Sequence, residues 1–166
     1  MKKFRFEVRN SRIQGLGAFA TQKIRKGTRL VEYAGERISP EEADRRYENG
    51  KSGDARVLIF QVDKRTIVDA GVGGNEAQYI NHSCDPNCES VIKSKRVYIE
   101  AIRTIQIGEE LTYDYSLTRD DTDGADVESE YVCHCGRADC RGTMLEPLPK
   151  KRKARKRKTT QTKRKK

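Results

Sequence analysis

The sequence predicts a mainly β fold with minor α content, and three observations carry that expectation. Short runs alternate apolar with charged residues, as Phe4, Phe6 and Val8 do in residues 4–9, the pattern of a half-buried strand. Two polar turns, Asp63-Lys64-Arg65 and Lys93-Ser94-Lys95-Arg96, are each flanked by β-branched residues, as in hairpins. Only one segment, Ser39-Pro40-Glu41-Glu42, carries a clear helix start.

Taken in order, residues 4–9 form the first strand. Ile13-Gln-Gly-Leu-Gly-Ala-Phe-Ala20 reads as a tight bend marked by Gly15 and Gly17. Thr28 to Tyr33 is the next strand. The helix follows, with Ser39 as N-cap, Pro40 in the first turn and Glu42 closing a capping box. It runs to about Tyr47, and Asn49-Gly50 and Ser52-Gly53 end it. Val57–Val62 pairs with Thr66–Val68, and Ser90–Ile92 with Val97–Ala101. After the Gly108-Glu109 turn, Leu111–Tyr115 forms a last strand, which points Tyr113 and Tyr115 to one face. Residues 120–130 hold six acids and no base and read as a loop.

Charge divides the chain into a body and a tail. Residues 150–166 contain twelve Lys or Arg and no acid, which leaves 23 basic and 25 acidic residues in 1–149. The net charge of +10 therefore belongs to the tail, and so does any contact with nucleic acid. Like charges and the lack of apolar residues predict that the tail is disordered. No apolar run has the length of a membrane span, and the N-terminus has no signal-peptide core, so no membrane partner is expected. Five cysteines, three of them spaced Cys133-x-Cys135-x4-Cys140, suit a metal knuckle better than a disulfide framework. That favours an intracellular, reducing compartment.

Three segments carry the chemistry. They are Tyr79-Ile-Asn-His-Ser-Cys-Asp-Pro-Asn-Cys88, Gly108-Glu-Glu-Leu-Thr-Tyr-Asp-Tyr115 and Cys133-His-Cys-Gly-Arg-Ala-Asp-Cys140. In this order they resemble the SET-domain family of protein lysine methyltransferases with its zinc-binding post-SET segment, over roughly residues 4–145. The resemblance implies the SET β-fold of small curved sheets, with a knot-like threading of the Asn81 segment against the Tyr115 segment. It divides the chain into a SET domain (1–118), an acidic loop (119–131), a post-SET zinc segment (132–148) and a basic tail (149–166). Only a few residues precede the SET region and no cysteine-rich cluster stands there, so the chain looks like the compact stand-alone SET proteins of bacteria.

The resemblance also implies roles. Gly15 and Gly17, with Leu16 between them, contact S-adenosylmethionine through the backbone. Asn81 binds the donor's amino-acid end, and His82 contacts its adenine side through the backbone. Tyr115 is the catalytic tyrosine at the methyl-transfer pore, Tyr113 tunes how many methyls fit, and Tyr33 lines the site. Asp114 is structural and His134 faces solvent. Cys133, Cys135 and Cys140 offer three thiolates, and a closed zinc site needs four. The family pattern favours Cys84 as the fourth ligand, with Cys88 the competitor.

The expected function is S-adenosylmethionine-dependent mono- or dimethylation of a lysine in a basic protein, a histone tail or a DNA-binding protein. Its compartment is then the nucleoid or cytoplasm in a bacterium, or the nucleus or chromosome in a eukaryote. The rival expectation is a binding module, stapled by zinc, whose basic tail holds nucleic acid. A tether has no need of Tyr33, Tyr113 and Tyr115 around one pocket.

Overall fold

The computed structural model describes residues 4–47, 58–119 and 126–147. Among the described residues, ten short strands make four small sheets. β1 (Phe6–Asn10) and β2 (Leu16–Ala20) form an antiparallel hairpin with Phe6 opposite Ala20. β3 (Arg29–Glu32) and β4 (Glu36–Ile38) follow, then helix α1 (Pro40–Tyr47). β5 (Ile59–Asp63) and β6 (Thr66–Asp69) complete a three-stranded sheet in the order β4-β6-β5. A 3-10 turn, Glu76–Tyr79, leads into β7 (Asn81–His82). β8 (Cys88–Lys93) and β9 (Arg96–Ala101) give the sheet β3-β9-β8. β10 (Thr112–Tyr113) pairs in parallel with β7, and α2 (Val127–Glu130) precedes the cysteine knuckle. No helix among the described residues is long and apolar enough to cross a membrane.

Both hairpins close as their turn residues predict. The β8–β9 turn places Ser94 and Lys95 at φ 50° and 61°. Two successive left-handed residues match the right-handed twist of the strands they join. Arg37 Nη1 donates to the Lys95 carbonyl at 2.9 Å, which links this turn to β4 of the neighbouring sheet.

Expectation and structure differ at several places. The bend expected over 13–20 ends at Gly15, and Leu16–Ala20 is a strand, because Ala18 and Ala20 are small enough to bury against the core. The last strand keeps only Thr112–Tyr113, since Ser116 turns the chain at φ 46°. Part of the acidic loop is helical, Val127–Glu130, with Val127 buried; residues 120–125 lie outside the described residues. The capping box is one-armed. Ser39 Oγ accepts the Glu42 N–H at 3.2 Å, but the Glu42 carboxylate turns to Arg46 at 2.7 Å and to Arg45. The expected helix stop at 49–53 and the tail 149–166 also lie outside the described residues.

The core runs between the sheets. Ile24, Ile80, Val97, Ile99, Ile105 and Leu111 are all fully buried in it or against it. Ile24 and Ile105 exchange both backbone hydrogen bonds at 2.9 Å, which draws the segment before β10 onto the β1–β2 hairpin. Leu111 N–H continues this contact, donating to the Ala18 carbonyl at 2.7 Å. Helix α1 buries only Ala43, against Ile38 and Ile67, so polar contacts hold it. Asp69, wholly buried on β6, accepts from Arg46 Nη1 at 2.8 Å, from the Tyr47 hydroxyl at 2.9 Å and from the Gly71 N–H at 2.9 Å.

Candidate active site and cysteine centre

The parallel β7–β10 pair sets Asn81 beside Thr112 and His82 beside Tyr113. This lays the Asn-His segment against the tyrosine segment. Asn81 then reaches the glycine bend. Its Nδ2 donates to the Leu16 carbonyl at 3.0 Å, the Gln14 carbonyl at 3.4 Å and Glu110 Oε1 at 2.8 Å. Glu110 Oε1 also accepts from Ser11 Oγ at 2.7 Å. The bend needs both glycines for different reasons. Gly15 sits at φ +45° in open space, a left-handed turn that disfavours a side chain. At Gly17 a Cβ would lie 2.3 Å from Glu110 Oε1. Asn81 Oδ1 has no hydrogen-bond donor among the described residues.

Tyr33 comes from one segment and Tyr113 and Tyr115 from another. The rings of Tyr113 and Tyr115 lie 4.8 Å apart, and Tyr33 packs on Phe60 at 5.8 Å. Burial raises the Tyr113 pKa well above the ordinary phenol value, and the neighbouring Tyr115 and Tyr33 add to it. Burial likewise raises Tyr33, again with help from Tyr115. The Tyr33 and Tyr113 phenols are therefore neutral at physiological pH. The Tyr115 hydroxyl donates to the Ile80 carbonyl at 3.0 Å and the Tyr33 hydroxyl to the Leu58 carbonyl at 3.2 Å. The Tyr113 hydroxyl has no hydrogen bond to the described residues.

His82 is buried behind this wall. Burial lowers its pKa to about 4, with the Asp114 carboxylate opposing, so the ring is neutral. Its Nδ1 accepts the Tyr115 backbone N–H at 3.1 Å, and its Nε2 stands 3.5 Å from Cys84 Sγ. Asp114 has the structural role expected of it, since its two oxygens take Arg141 Nη1 and Nη2 at 2.7 and 2.8 Å.

Cys84, Cys133, Cys135 and Cys140 form one cluster, with all four sulfurs within 4.8 Å of one another. Cys84 Sγ lies 3.7 Å from Cys133 Sγ and 3.9 Å from Cys140 Sγ. A tetrahedral zinc with bonds of about 2.3 Å sets its sulfurs about 3.8 Å apart. Backbone N–H groups of Cys135, Arg141 and Gly142 each point at a sulfur at 3.4 Å, which stabilises thiolates. The residues fit zinc on these grounds. Cys88 is elsewhere, fully buried at the start of β8 beside Asn87 Oδ1, and burial pushes its thiol up to about 12. His134 is exposed.

Residues 15–116 match the SET domain family. The chain belongs to the SET-domain family. It is 40% identical over 153 residues to "Histone-lysine N-methyltransferase, H3 lysine-4 specific" of Emericella nidulans, covering 87% of this chain and 12% of that protein. It is 39% identical over 153 residues to "Histone-lysine N-methyltransferase trr" of Drosophila melanogaster, covering 86% of this chain and 6% of the relative. To "Histone-lysine N-methyltransferase 2D" of Homo sapiens it is 38% identical over 138 residues, 81% of this chain and 2% of that protein. The chain thus spans a small fraction of the length of these relatives.

In this SET domain a cleft of about 230 Å³ opens beside the glycine bend, between Ile13, Ser83, Thr112 and Cys135. The Asp85–Arg137 ion pair, 2.7 Å long, ties the Asn-His loop to the cysteine knuckle at its edge. Three contributors escaped the sequence reading. Glu110 and Ser11 organise the bend, and Asn87 holds the SET strand β10 in place. Asn87 Nδ2 donates to the Glu110 carbonyl at 2.7 Å, and its Oδ1 accepts the Thr112 N–H at 2.9 Å. Glu110 and Asn87 both lie inside the motif segments, and that adjacency was the available signal.

Proposed function

We propose that this chain is a protein-lysine N-methyltransferase that moves methyl groups from S-adenosylmethionine to a lysine of a histone or histone-like protein. Mono- and dimethyl-lysine are its products. The observation that carries the reading is the gathering of Tyr33, Tyr113 and Tyr115 into one cluster, with Tyr113 paired to His82 next to Asn81. The names of its relatives agree with it.

S-adenosylmethionine would supply an electrophilic methyl on a sulfonium sulfur. Gly15, Leu16 and Gly17 offer backbone to the donor, and Gly17 has no side chain to block a close approach. Asn81 Oδ1 is placed to accept from the donor's ammonium, because its Nδ2 is committed to the bend. The backbone of His82 borders the donor's adenine side. Lysine must arrive uncharged to present a lone pair, and a pocket walled by buried, neutral phenols disfavours the ammonium. The Tyr113 hydroxyl is available to hold the lysine nitrogen, directly or through a water, in the volume that a further methyl would need. Tyr115, fixed at both its backbone N–H and its hydroxyl, is the rigid wall of the transfer pore. Cys84, Cys133, Cys135 and Cys140 would hold a structural zinc that keeps the knuckle against the site.

The fungal relatives are named for lysine 4 of histone H3, so an H3 N-terminal peptide is the first substrate to try. Action on chromatin places the protein at the chromosome. The twelve basic residues of 150–166 supply a salt-sensitive contact with nucleic acid there. The test is incubation with the H3 peptide and deuteromethyl-labelled donor, followed by mass spectrometry. Labelled lysine that disappears in Tyr115→Phe supports the reading. Donor binding without transfer to any basic protein would overturn it.

A further inference from the structure

Arg141 touches both the cysteine centre and the tyrosine segment. It follows Cys140 directly, and its backbone N–H donates to Cys84 Sγ at 3.4 Å. Its side chain leaves the knuckle for Asp114, which stands between Tyr113 and Tyr115. Nη1 donates to Asp114 Oδ2 at 2.7 Å and Nη2 to Oδ1 at 2.8 Å. Both side chains are half-buried, and a two-pronged, charge-assisted fork of this kind is particular to arginine. The remaining nitrogen, Nε, is buried and has no hydrogen-bond partner among the described residues. Buried donors are almost always paired. Here the fold leaves one unpaired while it turns both terminal nitrogens onto a single carboxylate, so the aim of that carboxylate is what the arrangement secures.

Asp114 passes the restraint on. Its Oδ1 also accepts the Ser116 N–H at 3.0 Å, across the residue between them, Tyr115. That bond holds the left-handed turn at Ser116, φ 46°. The Tyr115 N–H is held in turn by His82 Nδ1 at 3.1 Å, and the His82 ring faces the same Cys84 Sγ at 3.5 Å. Two routes from Cys84 therefore close on Tyr115, one through His82 and one through Arg141 and Asp114. The bonds that Asn81 makes to the glycine bend and Glu110 involve neither Arg141 nor Asp114.

We infer that Arg141 is a positioning residue for methyl transfer, holding the Asp114–Ser116 turn, and Tyr115 with it, in register with the cysteine centre; this rests on the methyltransferase reading. Arg141 acts through Asp114 and meets no reacting group. Without its fork the four sulfurs and the glycine bend keep their own contacts, while the turn that aims Tyr115 is released. The loss therefore falls on turnover and not on donor affinity.

The experiment compares the unaltered full chain with Arg141→Met, Arg141→Lys, Asp114→Asn and the double variant Asp114→Asn with Arg141→Met. In Arg141→Met, kcat on the H3 peptide should fall about 10- to 100-fold, the scale for a residue that supports a metal centre from outside. Donor affinity by calorimetry and zinc content should stay as they are in the unaltered chain. Arg141→Lys keeps the charge without the fork and should recover only part of the loss. The double variant should be no worse than Arg141→Met, because the two residues act as one unit. Amide hydrogen exchange gives a readout apart from activity. Protection of the Ser116 amide should fall in Arg141→Met while the amides of β9 keep theirs. Stripping the metal with a chelator should lower Ser116 protection in the unaltered chain and add little in Arg141→Met. Unchanged kcat and unchanged Ser116 protection in Arg141→Met overturn the inference. Loss of zinc, or of protection throughout β9, makes Arg141 a general support of the fold and overturns it equally, and additive losses in the double variant exclude Asp114 as the route. If the unaltered chain methylates no basic protein, the methyltransferase reading falls, and Ser116 exchange still decides whether Arg141 holds the turn.

Discussion

The imidazole of His82 accepts the backbone N–H of Tyr115 at 3.1 Å while its other nitrogen faces Cys84 Sγ at 3.5 Å. One buried ring thus spans the tyrosine pocket and the cysteine centre. Burial keeps the ring neutral, which leaves Nδ1 free to accept. For His82→Leu, an unsatisfied buried N–H should cost about 1–3 kcal/mol. We expect a lower melting temperature and a fall in kcat larger than any change in donor affinity. A scan of thermal unfolding beside steady-state kinetics checks both.

Tyr115 and Tyr113 should respond differently to loss of one oxygen. In Tyr115→Phe the bond to the Ile80 carbonyl disappears. Methyl transfer should fall by about 10²-fold, the scale of a positioned catalytic hydrogen bond. In Tyr113→Phe the pocket gains room and the reacting nitrogen gains rotation, so the product should shift toward trimethyl-lysine. Mass spectrometry of an H3 peptide time course separates the two. Trimethyl-lysine as the main early product of the unaltered chain would contradict the role given to Tyr113.

The two glycines of the bend give a sharper contrast. Gly17→Ala drives a Cβ into Glu110 Oε1 and Ser11, which dismantles the carboxylate that Asn81 holds. We expect donor binding, measured by calorimetry, to weaken beyond detection. Gly15→Ala has open space but a left-handed backbone. It should cost about 1 kcal/mol of stability and leave donor affinity nearly intact.

At the cysteine centre, Cys84→Ser should lose bound zinc and activity, while Cys88→Ser should keep both. Cys88 lies in the β8 core, away from the other sulfurs. Metal content of freshly purified, reduced protein decides this. Retention of full zinc by Cys84→Ser would exclude Cys84 as a ligand.

Helix α1 depends on one carboxylate. Asp69→Ala removes the shared acceptor of Arg46, Tyr47 and Gly71. Arg46 is partly solvated, so the loss should be about 2–3 kcal/mol, below that of a fully buried pair. Denaturant melts with an unchanged slope would show it as a pure stability loss.

What the sequence made legible depended on how local the cause was. The hairpins at Lys64-Arg65 and Ser94-Lys95 and the Ser39 cap follow from neighbours in the chain, and the strands and helix form there. Strand β4 and the strand character of Leu16–Ala20 did not show, because their pairing with β6 and β1 is set across the chain. Whole motifs drew attention to Asn81, Tyr113 and Tyr115, and the fold brings their two segments side by side. Glu110 was not singled out, because its role exists only once Ser11 and Asn81 converge on it from far away in sequence. Nor did spacing alone separate Cys84 from Cys88. Folding does so, by placing Cys88 in a strand and Cys84 in a loop that reaches the knuckle.

The β7–β10 pair is only two residues long, yet it joins Asn81 to Thr112. So brief a ladder cannot nucleate by itself, and closing the loop between its halves costs entropy before any contact rewards it. It should form late, after the β8–β9 hairpin between its halves is in place. The amide of Thr112, bonded to Asn87 Oδ1, should then gain protection from hydrogen exchange late in refolding. A nascent chain that stops before Thr112 lacks this clasp, and one that stops before Cys133 still lacks three of the four sulfurs, so competence for chemistry becomes a timestamp of synthesis past Cys140.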